Sequence, residues 1–335
     1  MFAYLVKRVL SGLVVVIMVS AAVFLLFWYG PTSAAKPVCD RETSQHCTPD
    51  RLAKYEHNLG YDNPVYEEYG KYVKGMVVGR TLHIGDTFYK CNAPCLNYSY
   101  NDNTPVWESM KEKLPATISV AMGGAFLYLL LGIPIGVAAA RRRGTITDKA
   151  LVSSFLFLSS IPYYLFALLL WLYVTVVFQV PFVSNTGYTP LTEDPGKWFS
   201  GMVLAWIALG IFGCTQYTRY ARGSMVETLS EDYIRTAKAK GLPARAVVYR
   251  HALRAAMVPI VTIFGIDLGT LLAGTIFTEK IFGIQGIGYW SLQAVGQKDL
   301  PVVSATALFA AIVMICSNII VDVIYSVLDP RVRLA

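Results

Sequence analysis

Six apolar runs punctuate the chain, at 9–29, 114–140, 150–182, 198–218, 255–278 and 302–328. The first four carry no charged residue, the fifth holds Asp267 and the sixth holds Asp322. Each is long enough for a helix to cross a bilayer, which takes roughly 20 residues. The pattern predicts an all-α, polytopic membrane protein with six transmembrane helices. Gly123, Gly124, Gly132 and Gly136 in the second run let a neighbouring helix approach closely. Pro134 and Pro162 are expected to kink the second and third.

Polar residues between the runs set the orientation. Lys7, Arg8, Arg141, Arg142, Arg143, Lys149, the bases of 219–254, Arg331 and Arg333 flank one side, whereas the short loops on the other carry only Lys197, Lys280 and Lys298. Basic residues stay in the cytoplasm, so both termini are expected inside and 30–113 outside. A secretory signal would share the basic start, but its apolar core is only about 7–15 residues long. The first run is therefore read as a retained span, 1–29, with Ser33-Ala34-Ala35 as a weak cleavage-like alternative. Charged residues make up 15 % of the chain, well below the roughly 25 % of soluble domains. The net charge of +7 belongs to the span flanks and does not point to nucleic acid.

The segment 30–113 is polar, rich in aromatic residues, and holds Cys39, Cys47, Cys91 and Cys95. An outward segment keeps disulfides, and four cysteines allow three pairings. The short spacings favour Cys39–Cys47 and Cys91–Cys95. Free thiols and a zinc site using His46 or His83 remain open, although neither histidine has a usual ligand spacing. The segment is expected to form a small folded cap. Cys214 and Cys316 lie in spans and read as packing residues.

Between the fourth and fifth runs lies 219–256. Nine Lys, Arg or His residues fall between Arg219 and Arg254, while the acids Glu227, Glu231 and Asp232 precede most of them. Acids near a helix start and bases near its end suit the helix dipole. Gly241 can stop a first helix and Pro243 start a second. Ala237 and Ala239 keep the first one slim. The expected form is a helix-turn-helix beside the membrane; the plain alternative is a solvated basic loop.

This segment resembles the coupling loop of ABC-importer permeases in its peptide-transporter form, through Thr236, Ala237, Gly241, Leu242, Pro243, Arg250, His251, Ala252, Leu253 and Pro259. Arg235 stands where the general pattern has glutamate. Further likenesses are Asn58-Leu59-Gly60-Tyr61-Asp62-Asn63-Pro64 with Tyr66 and Tyr69, Leu114-Pro115-Ala116-Thr117, Gly132-Ile133-Pro134-Ile135-Gly136, Ala140-Arg141-Arg142-Arg143-Gly144 with Asp148, Ser160-Ile161-Pro162, and Asp329-Pro330-Arg331. Ile281 to Gly288 resembles an outer loop of the family, with Gln285 in place of a proline. The cysteine-bearing pieces look like insertions.

The likeness is to permease subunits of dipeptide, oligopeptide and nickel importers, and implies a type I importer fold in a bacterial plasma membrane. It implies a second homologous permease, two cytoplasmic ATPases that bind ATP and magnesium, and an external substrate-binding protein, with no cofactor or metal in this chain. Asp232, Tyr233, Thr236, Ala237, Lys240, Gly241, Leu242, Pro243, His251 and Leu253 would then contact an ATPase. Gly283, Gln285, Gly286 and Gly288 would meet the binding protein, since glycines allow close backbone approach. Asp267 would line the path or serve as a hydrogen-bonded structural carboxyl, because a charge in a span faces a cavity or a partner. No phosphate-binding Gly-x-x-x-x-Gly-Lys-Ser/Thr, His-Glu-x-x-His or Gly-x-Ser-x-Gly occurs, so ATP hydrolysis is expected elsewhere. The rivals are a nickel or other small-solute importer, a passive channel, and a membrane enzyme with a metal or reactive thiol in the cap. Impermeant thiol labelling of engineered cysteines in intact cells is expected to reach 30–113 and spare 141–149; labelling of 141–149 without permeabilisation would reverse the topology.

Overall fold

The computed structural model describes residues 2–29, 33, 35–42, 47–84, 87–183 and 187–328. The expectations for Asp329-Pro330-Arg331, Arg333, Ala34 and His46 lie outside the described residues. In order, the elements are α1 (Phe2–Trp28), α2 (Ala35–Glu42), α3 (Pro49–Asn58), α4 (Val65–Val78), β1 (Arg80–Ile84), β2 (Thr87–Cys91), α5 (Val106–Arg141), α6 (Ile146–Ser160) and α7 (Tyr163–Trp171), which a π-helical turn extends through Leu172–Val177. Then come α8 (Pro195–Leu229), α9 (Asp232–Ala239), the short α10 (Ala244–Ala246), a π-helical turn Val247–Ala252, α11 (Leu253–Ala273), α12 (Ile276–Ile281), α13 (Ile287–Gln297) and α14 (Leu300–Leu328).

Among the described residues, five helices are long and apolar enough to cross a membrane. The third expected span differs from its reading: α6 and α7 meet at 90°, so six crossings result only if that pair counts as one. Pro162 sits at the break and lacks the amide a continuing helix would use, and Ile161 takes an extended conformation before it. By contrast, α5 runs unbroken through Pro115 and Pro134 and begins at Val106, inside the segment read as cap. The fourth span is also longer than its apolar run, because α8 continues to Leu229.

Packing divides the chain into two compact units. One comprises mainly Ala116–Gln285 with α14 from Met314 onward, the other Leu5–Pro115 with Gly286–Val313. In the first unit, α5 and α8 lie in close contact through glycines on both helices. A Cβ on Gly136 would fall 2.6 Å from Ala221 Cβ and 2.7 Å from the Thr218 carbonyl oxygen. Gly132 faces Tyr217, while Gly210 and Gly213 of α8 face Leu127 and Tyr128 of α5. Gly269 of α11 similarly receives Ser317 of α14. With apolar lipid outside, such close packing replaces the hydrophobic drive of soluble cores. Glu279, inside α12, is fully buried and accepts a hydrogen bond from Thr117 Oγ1 at 2.8 Å. The expected outer loop is short: helix α12 precedes it, α13 follows it, and residues 282–286 join them.

In the second unit, Ala35, Val38, Cys39 and Tyr55 form a small core with Leu52, Leu82, Tyr89 and Tyr98 around it. The strands β1 and β2 make one antiparallel hairpin, with Arg80 opposite Cys91 and Ile84 opposite Thr87, the only sheet among the described residues. Cys39–Cys47 and Cys91–Cys95 are disulfides, as the short spacings suggested. Asp299, almost wholly buried, accepts from the Ser99 hydroxyl and from the amides of Tyr100 (3.2 Å) and Asn101 (3.1 Å). It thereby ties the turn before α5 to the start of α14. Two small-residue expectations separate: Cys214 is buried, but Cys316 is exposed.

The α5–α8 contact sets a test. Gly136→Ala is expected to cost about 1–3 kcal/mol by overpacking and to lower the thermal midpoint of the detergent-purified chain. Gly223→Ala, where an added Cβ meets nothing within 4 Å, is expected to leave the midpoint unchanged or slightly raised.

Candidate functional site

The segment 219–256 stands on a braced base. Asp148, in the first turn of α6, is buried and takes the Arg222 guanidinium on both oxygens, at 2.6 and 2.8 Å. Its Oδ2 also accepts from the Gly144 amide at 2.9 Å, and the Thr145 side chain caps α6. The turn after Arg141–Arg143 is thereby fastened to the end of α8. Bidentate arginine–carboxylate geometry makes this a directional link. Ser224 Oγ donates to the Ala256 carbonyl at 3.0 Å and ties α8 to α11. Under the segment lies an apolar cluster of Val137, Met225, Ile234, Ala237, Val247, Val248 and Ala252.

On that base sits the corner expected from Gly241. The residue has φ +76° and open space around it. Its amide donates to the Lys238 carbonyl at 3.0 Å, and the Leu242 amide reaches the Ala237 carbonyl at 3.4 Å. This pair of bonds is a Schellman cap, which satisfies the last carbonyls of α9 and needs a left-handed residue. Pro243 lies one position earlier than expected, at the N-cap of α10 with φ −62° and ψ 141°. A second correction concerns the helix after it. It is not a separate short helix, since α10 runs through the π-helical turn Val247–Ala252 into α11.

The predicted coupling residues divide by face. Asp232, Tyr233, Thr236, Lys240, Gly241, Leu242 and Pro243 are exposed. Asp232 pairs loosely with Arg235 at 3.3 Å, and Thr236 Oγ1 donates back to the Asp232 carbonyl at 3.0 Å. Ala237 turns the other way: it is buried with Ile234 against the chain's own cluster. The expectation that it leaves room for a facing surface is therefore corrected, because Ile234 three residues earlier draws that side inward. Ala239 is exposed. His251 and Leu253 are half-buried, and Leu253 packs on the same cluster. The outward face thus presents Tyr233, Leu242 and Tyr249 among the exposed bases Arg235, Lys238, Lys240, Arg245 and Arg250. Aromatic and aliphatic groups ringed by positive charge suit a protein surface of opposite sign.

The other predicted sites fare differently. Gly283 has φ +66° with open space around it, and it and Gln285 are exposed. Gly286 and Gly288 are buried, as N-cap and second residue of α13, so they do not offer the surface expected of them. Asp267 is half-buried and accepts from the Tyr217 hydroxyl at 2.7 Å. That hydrogen bond is the one the structural-carboxyl alternative requires. Tyr217 in turn stacks on Tyr128, with ring centroids 4.6 Å apart. The Asp148–Arg222 clamp was missed; 74 positions separate its members, and no local pattern joins them.

Comparison with known proteins places this geometry. A family model described as the binding-protein-dependent transport system inner membrane component matches residues 132–334. A second, for the N-terminal part of such membrane components, matches 1–121. The dipeptide transport system permease protein DppB of Escherichia coli (strain K12) is 34 % identical over 318 residues, covering 89 % of each chain. The di/tripeptide transport system permease protein DppB of Pseudomonas aeruginosa (strain UCBPP-PA14) is 33 % identical, over 85 % of this chain and 86 % of its own. A putative peptide transport system permease protein of Brucella abortus (strain 2308) is 30 % identical over 99 % of both. A chain of the MetNI methionine ABC transporter, solved in inward-facing conformations, shares the fold with a TM-score of 0.53 at 16 % identity, over 67 % of this chain and 97 % of its own.

The two faces of α9 yield a paired expectation. Ala237→Trp is expected to destabilise the isolated chain by about 1–3 kcal/mol through overpacking. Gly241→Val is expected to cost about 1–2 kcal/mol or more, from a β-branched residue in a left-handed position. Thermal unfolding in detergent measures both, with Tyr233→Ala as the exposed control that leaves the midpoint in place.

Proposed function

The chain belongs to the family of binding-protein-dependent transport system inner membrane components, and from that premise we propose that it is a permease subunit of an ATP-driven importer of dipeptides or short peptides. The substrate class rests on the names of its relatives, which are dipeptide, di/tripeptide and peptide permeases. The observation that carries the coupling role is the capped, exposed corner at Lys240–Pro243 on a braced base.

In this reading the chain forms the translocation path with a second, homologous permease. Two ATPase subunits bind ATP and magnesium, and a separate binding protein delivers the peptide. The outward face of α9, with Tyr233 and Leu242 at its centre, seats in a groove of one ATPase. Closing of the ATPases pushes on this rigid corner, and the Asp148–Arg222 clamp and the Ser224–Ala256 bond pass the push to α6, α8 and α11. Alternating access follows from those helices moving against their counterparts in the second permease. Gly283 and Gln285 are the residues of their loop left free to meet the binding protein. Both termini lie in the cytoplasm.

Purified with its partners and placed in liposomes, the wild type is expected to take up a dipeptide only with ATP and binding protein present. The double variant Tyr233→Ala, Leu242→Ala is expected to assemble with an unchanged melting temperature yet lose at least tenfold in uptake and in substrate-stimulated ATP hydrolysis. Wild-type transport by the double variant would end the coupling assignment; solute flux through the chain without ATPases would favour a channel.

A further inference from the structure

Within the second unit a cavity of about 540 Å³ opens between the last turn of α1, α4, β1 and the start of α14. Its size is in the range that holds small organic ligands. Arg80 lines it. The stem of this residue lies over Gly75, where a Cβ would come within 2.7 Å of Arg80 Cδ. One terminal nitrogen, Nη2, donates to Asn97 Oδ1 at 2.6 Å, and the guanidinium carbon stands 5.8 Å from the centre of the Tyr72 ring. Its Nε is buried without a hydrogen-bond partner. Among the described residues, no carboxylate forms an ion pair with it. The nearest acid of the wall, Glu68, is already engaged by Lys71 Nζ at 2.6 Å and by the Asn63 amide at 2.8 Å.

An arginine held in place by packing, with open donor capacity and no carboxylate bonded to it among the described residues, is costly unless something supplies more opposite charge. Burial indeed draws its pKa below the usual arginine value. Trp28 and Tyr61 also line the cavity and stack with centroids 4.7 Å apart. Trp28 stands at the C-terminal end of the apolar run 9–29, where aromatic residues suit a membrane interface. Lys74 adds a second positive charge at the cavity.

We propose that this cavity is an oxyanion-binding site. Arg80 forks onto a carboxylate or phosphate of a small ligand, and the Trp28–Tyr61 stack covers the ligand's apolar body. Two sources share that chemistry: the terminal carboxylate of a short peptide and the headgroup phosphate of an anionic lipid. The choice of a dipeptide as first probe rests on the importer reading; the site itself does not.

The test uses the full-length chain, delipidated in a maltoside detergent, with no ATPase or binding protein present. Calorimetry would compare alanyl-phenylalanine, its C-terminal amide, and dihexanoyl phosphatidylglycerol below its micellar concentration. The free-acid dipeptide is expected to bind, with at least a tenfold loss on amidation and the same loss in Arg80→Gln, while Arg80→Lys retains part of the affinity. The same Arg80 dependence for phosphatidylglycerol instead would assign the phosphate source and uphold the site. If Arg80→Gln unfolds, the acid–amide comparison on the wild type decides. Binding of neither probe, or affinities unchanged by amidation and by Arg80→Gln, would overturn the proposal. Because transport plays no part in the measurement, either outcome leaves the uptake experiment to judge the importer reading separately.

Discussion

The approach of α5 to α8 is the constraint on which the first unit depends. Where Gly132 and Gly136 meet Tyr217, Thr218 and Ala221, α5 places no side chain between the two helices, and even one methyl would push them apart. In a bilayer, where lipid is as apolar as leucine, such contact supplies the dispersion that holds helices together. Because α8 ends in the segment that carries Arg222 and Ser224, the position of the Gly241 corner is inherited from this contact.

Above that interface, the polar links of the first unit are sparse and directional. Asp148 with Arg222, Thr117 with Glu279, and Tyr217 with Asp267 each join two elements far apart in sequence. A buried carboxylate needs such a partner to remain tolerable. The three links brace helices that are otherwise joined by apolar contact and a few single hydrogen bonds, among them Ser224 to Ala256 and Thr218 to Gly132.

The spans, the Gly241 corner and both disulfides were legible because each rests on a local rule: run length, a left-handed stop, or cysteines eight and four residues apart. What remained hidden depends on which way a side chain turns. Ala237 and Ala239 look alike in sequence, yet only one shares a face with Ile234. Gly283, Gly286 and Gly288 also look alike, but only Gly283 needs positive φ; the other two are buried at the start of α13. The 90° bend at Ile161-Pro162 was foreseen as a kink, but its size is set by α7 packing on α8 and α12, which no local pattern encodes.

The uncharged part of α8 ends at Thr218, but the helix does not. Residues 219–229 continue the same rod for about 16 Å beyond the apolar run, at 1.5 Å per residue. That extension is held along its length: Gly136 meets Ala221, Asp148 clamps Arg222, and the Ala256 carbonyl takes Ser224. The corner therefore stands at a height and angle fixed by a count of residues. Shortening the rod by one helical turn would draw the corner in by about 5 Å without altering any residue of the corner itself.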